Sequence, residues 1–132
     1  MKIKTSELTG RALDWAVARA IGATEEIMPS GNTWLKPNDD WYVSNRDTYN
    51  FEPSTDWEQC GELIDKYLDD VTYMGRKDNH WVASVRALTV DDFSIFKTQT
   101  GDTPQIAICR AVVAAQLGDE VDIPDELVED EG

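Results

Sequence analysis

The sequence predicts an α+β fold, a layered sandwich in which a three-stranded antiparallel meander is packed by helices, followed by an acidic C-terminal tail. Three observations predict it. Strand-like runs with short polar turns are confined to residues 71–98, helical periodicity lies on either side of them, and such segregation favours α+β over a parallel βαβ sheet. The stretch from Thr103 to Glu120 reads as one capped, largely buried helix that runs into an acidic strip. The chain has 132 residues, which suits one core and leaves little room for a second. The expected organisation is one domain over 1–118 and an acidic extended tail over 119–132.

In chain order, a first helix is expected over 9–22. Thr9 caps it, Leu13, Ala16, Val17, Ala20 and Ile21 recur at three and four places, and Gly22 stops it. Trp15 lies off this stripe, beside Ala12 and Arg19, and is expected to pack against another part of the chain. Periodicity is lost over 23–53, punctuated by Pro29, Gly31, Pro37 and Pro53, with short apolar clusters at Trp34-Leu35 and Trp41-Tyr42-Val43. We read an irregular excursion containing two short strands, whose aromatic content makes it either a cover over another element or part of a site. A second helix is expected over 56–69: Thr55 and Glu58 match a capping box, Asp56 sits at the positive end of the dipole, and Trp57, Cys60, Gly61, Ile64, Tyr67 and Leu68 share one face.

Three strands follow, over Val71 to Met74, His80 to Arg86 and Phe93 to Thr98, joined by polar turns through Arg76-Lys77-Asp78-Asn79 and Thr89-Val90-Asp91-Asp92. Trp81, Ala83 and Val85 alternate with more polar neighbours, so one face of the middle strand must be covered. A third helix is expected over 104–117, with Thr103 as N-cap, Pro104 at the first helical position and Gly118 as the stop. Ile106, Cys109, Val113 and Leu117 form its stripe and Ile108, Val112 and Ala115 broaden it, which implies contact on more than one side. Val121 to Pro124 reads as extended.

Composition narrows the function classes. The formal net charge is −14, and more than half of the acidic surplus lies in the last fourteen residues. Nucleic-acid affinity comes largely from Lys and Arg neutralising phosphates, so this balance argues against direct nucleic-acid binding, though not against a small basic pocket. The tail reads as a solvated solubility element, or else as a partner-binding arm or phosphate mimic. Cys60 and Cys109 fall within apolar helical patterns and read as buried thiols. His80 is the only histidine and there is no Cys-x-x-Cys, so neither zinc nor any other metal or cofactor is expected. The longest apolar stretches are interrupted by Arg19 and Arg110, and no signal-like run opens the chain, so a cytosolic protein is expected.

The blocks Glu7-Leu8-Thr9-Gly10-Arg11-Ala12-Leu13-Asp14-Trp15-Ala16-Val17-Ala18, Ser54-Thr55-Asp56-Trp57 and Thr103 to Leu127 resemble a phage-encoded family, the NinX-like proteins. The portion from Ser54 to Leu117 is also similar to the phage α-β-α sandwich domain, in which a helix with a Ser-Thr-Asp start precedes a meander and an Ala-Ile-Cys-Arg-Ala helix follows it. Here that motif reads Ala107-Ile108-Cys109-Arg110-Ala111. The resemblance implies a small accessory phage protein located in the cytoplasm of the infected host, and it carries over no reaction or catalytic residue. Such relatives are expected to have Gly-Pro-Leu-Ile near the second helix where this chain has Cys60-Gly61-Glu62-Leu63-Ile64; Glu62 in place of proline should smooth the helix start.

No residue set forms a convincing catalytic group. Ser54 and Ser84 need a base and only His80 offers an imidazole; Ser54 is better explained by a helix start, Ser84 by a strand and His80 by an exposed turn. Acid pairs drawn from Asp14, Asp39, Asp40, Asp56, Asp69 and Asp70 are weak signals among 26 acids. Asp39-Asp40 or Asp91-Asp92 could contribute to a Mg²⁺ site. Gly101-Asp102-Thr103-Pro104 offers a helix N-terminus that either holds an anion or is simply a turn with its cap.

Five tryptophans exceed what thin layers require, and aromatic faces can sandwich a planar base while arginine forks hold phosphates. Trp34, Trp41, Arg46, Arg76 and Arg110 are therefore the candidate ligand-binding residues. Arg110, amid apolar neighbours, needs a partner, and Asp14 or Asp56 is the expected one. The reading is a non-enzymatic protein that binds a host small molecule, in its sharper form a signalling nucleotide sequestered to counter host defence in pockets shared across a homo-oligomer, or else a host protein. The alternatives are an acidic decoy for a host DNA-binding protein and a metal-dependent hydrolase.

Overall fold

A computed structural model of the chain describes residues 1–66, 71–77, 80–90 and 93–128. In order these form β1 (Lys2–Lys4), a 3-10 turn (Thr5–Glu7), α1 (Gly10–Ala20), β2 (Thr24–Ile27), β3 (Thr33–Lys36), β4 (Val43–Ser44), α2 (Trp57–Lys66), β5 (Val71–Lys77), β6 (His80–Val90), β7 (Phe93–Gly101), α3 (Pro104–Leu117), β8 (Glu120–Asp122) and a second 3-10 turn (Asp125–Leu127). The fold is α+β, and its antiparallel meander β5-β6-β7 is the one the sequence predicts.

Helix α3 organises the molecule. Its start follows the local signals: Thr103 Oγ1 accepts from the Ile106 N–H, and Pro104 sits in the first turn, where a missing N–H costs no ladder bond. One side of α3 packs on β6 and β7 and another on α1 and α2. Cys109 and Val113 join a core with Leu13, Val17, Leu35, Val43, Phe51 and Leu63, whereas Ala107, Ile108, Ala111 and Val112 join a second core with Cys60, Ala83 and Val85. The broad apolar surface legible in the sequence is thus a partition between two cores. Gly101 makes the tight approach of β7 to α3 possible, because a Cβ there would lie 2.7 Å from the Ala107 nitrogen and 2.7 Å from Ile106 Cγ2.

Four local expectations are corrected. The segment 23–53 contains three short strands in a second antiparallel sheet, β2-β3-β4, rather than two strands in an irregular excursion. Its extra strand, β2, is exposed along its length, so it carries no apolar alternation to reveal it. Thr9 makes no side-chain capping bond to α1. The cap of α2 is Asp56, whose carboxylate accepts from the Gln59 N–H, while Thr55 lies a residue outside the helix and its hydroxyl donates to the Glu52 carbonyl. Trp57 is 53% exposed instead of sharing the buried face of Cys60, because a residue at the first helical position projects beyond the turn that packs.

The segment from 119 to 128, read as the start of an extended tail, is built into the body. Lys2, Ile3 and Lys4 pair with Asp122, Val121 and Glu120, and Val121, Ile123 and Leu127 are buried in the core beneath α1. Val121, between Glu120 and Asp122, follows strand alternation that the surrounding acidity disguises, and Leu127 is buried from the 3-10 turn that follows. Trp15, as expected, is buried, at 2% exposure.

Candidate anion-binding site

The site starts from Ser44 at the end of β4. Its Oγ accepts from the backbone N–H groups of Arg46 and Asp47, which folds the chain into a tight turn. Asp47 then receives the Asn32 amide at 2.9 Å and the Trp34 indole N–H at 2.8 Å, and Asn45 Oδ1 receives the Thr33 N–H. These bonds tie the turn to β3, with the Trp34 ring stacked on Tyr42 at 4.2 Å. Arg46 is thereby held at a fixed place in the backbone while its side chain stays open to solvent.

Arg11, in the first turn of α1, comes to the same place. Its Nη1 donates to the Ser44 carbonyl at 3.2 Å, and its guanidinium lies 4.4 Å above the centre of the Tyr49 ring. Together these elements enclose a cavity of about 710 Å³ lined by Thr9, Gly10, Arg11 and Ala12 on one wall, Asn45 and Arg46 on another, and Glu126 and Leu127 on a third. Arg46 Nε stands 3.7 Å from a Glu126 oxygen. Because Thr9 leaves α1 without a side-chain cap, the first amides of the helix add positive potential to a wall already carrying Arg11. A chain of net charge −14 thus presents a local basin with two guanidiniums against one carboxylate. Basins of this kind attract anions.

Among the described side chains expected to form a site, only Arg46 lines this cavity. Trp34 is committed to Asp47 and Tyr42, and Trp41 stacks against Phe51 at 5.9 Å and packs on the core. One face of each ring is thus taken by another ring of the chain, and neither ring lines this cavity. Arg110 is corrected most fully: its Nε donates to the Leu8 carbonyl at 2.9 Å and its Nη1 to the Thr100 carbonyl at 2.8 Å, so it ties α3 to the chain before α1 and to β7. Burial lowers its pKa while the charge of Asp102 opposes the change. Two carbonyls, not the carboxylates of Asp14 or Asp56, neutralise its need for acceptors. Arg76 is on β5 opposite Trp81, and its side chain lies outside the described residues. Arg11, which completes the basin, carried no sequence signal beyond a place near a helix start; only the contact between α1 and β4 brings it to Arg46.

Other candidate groups find structural uses. Asp14 Oδ1 accepts the Ser54 N–H at 2.9 Å in a buried position, and burial raises its carboxyl from 3.8 to about 7. The Tyr49 phenol is raised by burial and then by the nearby Asp14, with Arg11 opposing. Burial also pushes the Cys109 thiol well above its ordinary value, which disfavours the reactive thiolate. His80 is exposed, 3.8 Å from the exposed Asp102, and the Ser84 hydroxyl pairs with Thr98 on the sheet surface at 2.6 Å. Asp69-Asp70 and Asp91-Asp92 lie outside the described residues, and among those described no group of three or more His, Cys, Asp or Glu side chains is placed to hold a metal ion. Among them, too, no helix is long and apolar enough to cross a membrane.

The family model of Bacteriophage P22, NinX, matches residues 4–116. The chain belongs to that family. The matched span runs from β1 almost to the end of α3, so it includes Arg11, Ser44 and Arg46 but stops short of Glu126. No curated protein matches the chain.

Proposed function

We infer that this member of the NinX family is a phage accessory protein that works by binding rather than by catalysis, and that it captures a small anionic molecule of the host in the Arg11–Arg46 basin. The single observation that carries the reading is the convergence of two guanidiniums on one cavity in a strongly acidic chain. Such a chain would otherwise repel anions, and guanidinium forks are the side chains best shaped for phosphate or carboxylate oxygens. Sequestration of a nucleotide immune signal is the sharper form of this reading. The ligand would then be gripped through its phosphate, because Trp34 and Trp41 have partners of their own. Isothermal titration of the full chain against cyclic nucleotides and ADP-ribose derivatives tests it, with Arg11→Gln and Arg46→Gln as controls. We expect at least one ligand with a Kd below ~10 μM whose binding weakens more than tenfold in both variants. Binding that ignores both substitutions removes the basin from consideration.

A second reading, the acidic decoy, is favoured by one observation. A decoy should carry its charge on a folded face, and β8 with the turn after it holds Glu120, Asp122 and Asp125 on such a face. They rim a separate cavity of about 670 Å³ whose floor includes Trp15, Leu117 and Val121. Asp122 and Asp125 are also spanned by the Met1 ammonium, at 3.2 and 3.4 Å. Neutralising the three acids together should abolish capture of a basic host protein if the decoy reading holds, and leave anion binding in the basin intact.

A further inference from the structure

The charge of the basin sets which anion it takes. This inference rests on the basin being a binding site, and concerns Glu126, a residue that comes from the far end of the chain and stands on the third wall. Its carboxylate is 35% exposed and faces an Arg46 side chain that is 64% exposed, so the pair is an open contact at 3.7 Å rather than a locked bridge. Arg11 is held differently, by the Ser44 carbonyl and the Tyr49 ring, and neither of those neutralises its charge. Among the side chains that line the cavity, Arg11 and Arg46 are positive and Glu126 is the carboxylate, while Asp14 and Glu52 act on Tyr49 behind Arg11.

We propose that Glu126 acts as a charge filter that reduces the advantage the two-arginine basin gives a phosphomonoester dianion over a monoanion of the phosphodiester class. The physical reason is that the repulsion between a fixed carboxylate and a bound anion scales with the charge of the anion. Whatever factor Glu126 imposes on a monoanion, it imposes roughly the square of that factor on a dianion at the same place. A phosphodiester also presents two non-bridging oxygens, one for each guanidinium, and its attached group can offer an O–H or N–H to Glu126. A phosphomonoester can also offer an oxygen to each guanidinium, but its second negative charge meets the Glu126 carboxylate.

The test uses dimethyl phosphate as the monoanion and methyl phosphate as the dianion, titrated at pH 8 into the full-length protein and followed by amide chemical shifts of Gly10, Arg11, Ala12 and Arg46. At that pH methyl phosphate carries nearly two charges. Glu126→Gln is expected to tighten dimethyl phosphate by about two- to fivefold and methyl phosphate by about the square of that, shifting the preference toward the dianion by about two- to fivefold. Glu25→Gln removes an equal charge from an exposed position paired with Arg19, away from the basin, and should leave the preference unchanged. An unchanged preference in Glu126→Gln, or an equal shift in Glu25→Gln, overturns the filter while the basin stands. If neither phosphate moves those four amides in any of the proteins, the basin falls and the filter with it.

Discussion

Replacing Asp14 by asparagine probes a buried carboxyl whose ionisation the fold opposes. Asp14 is 1% exposed, and its described hydrogen-bond donor is the Ser54 N–H. Burial lifts its pKa from 3.8 to about 7, so between those values the folded protein holds a proton that the unfolded chain has released. Stability from this group is therefore complete below about pH 4, declines as pH rises, and is lost above about pH 7. An ionised Asp14 costs the folded state up to about 4 kcal/mol, a large share of the ~5–15 kcal/mol that holds a domain of this size together. Asparagine retains an oxygen for the Ser54 N–H and cannot ionise. In urea unfolding followed by tryptophan fluorescence, Asp14→Asn should be more stable than the parent by about 2–4 kcal/mol at pH 8, an advantage falling to about 1 kcal/mol near pH 4.5. An advantage that does not change with pH, or a variant less stable than the parent at pH 8, would refute the reasoning.

Five further outcomes are expected. Gly101→Ala forces a Cβ into the backbone of α3 and should cost about 1–3 kcal/mol, read as a drop of several degrees in Tm, while Thr103→Ala should cost about 1 kcal/mol through the lost bond to Ile106. Trp15→Ala should cost about 3–5 kcal/mol in denaturant titration, whereas Trp57→Ser should stay within about 0.5 kcal/mol, since the two rings differ in burial and not in kind. Truncation after Gly118 strips Val121, Ile123 and Leu127 from the core and should lower stability by more than about 3 kcal/mol in thermal melts. That loss means the truncation cannot separate a decoy from a pocket binder; substitution of the exposed acids Glu120, Asp122 and Asp125 can.

The readings that transferred well depend on neighbours in sequence. The start of α3 at Thr103-Pro104, its stop at Gly118 and the alternation of Trp81, Ala83 and Val85 are set by contacts within a few residues, and the backbone obeys them. Where two local signals compete, the choice is decided by packing. Asp56 displaces Thr55 as the cap because α2 begins one residue later, where Gln59 can bond both the Glu52 N–H and the Asn50 carbonyl. The site was the least legible part. An arginine signals only that it needs acceptors or anions; whether it meets carbonyls, as Arg110 does, or faces an open cavity, as Arg46 does, depends on segments far away along the chain.

By itself the sequence determined the fold class, the order of the principal helices and meander strands, the two-sided burial of α3 and the acidic character of the chain, because periodicity, caps and charge are properties of short segments. Tertiary structure alone decided that the acidic end pairs with the first strand, that Trp34 stacks on Tyr42 and Trp41 on Phe51, and that Arg11, Arg46 and Glu126 share a cavity. Those outcomes join residues up to about 120 positions apart, and the energy of such contacts is set by the shape of the whole folded chain, which no local pattern encodes.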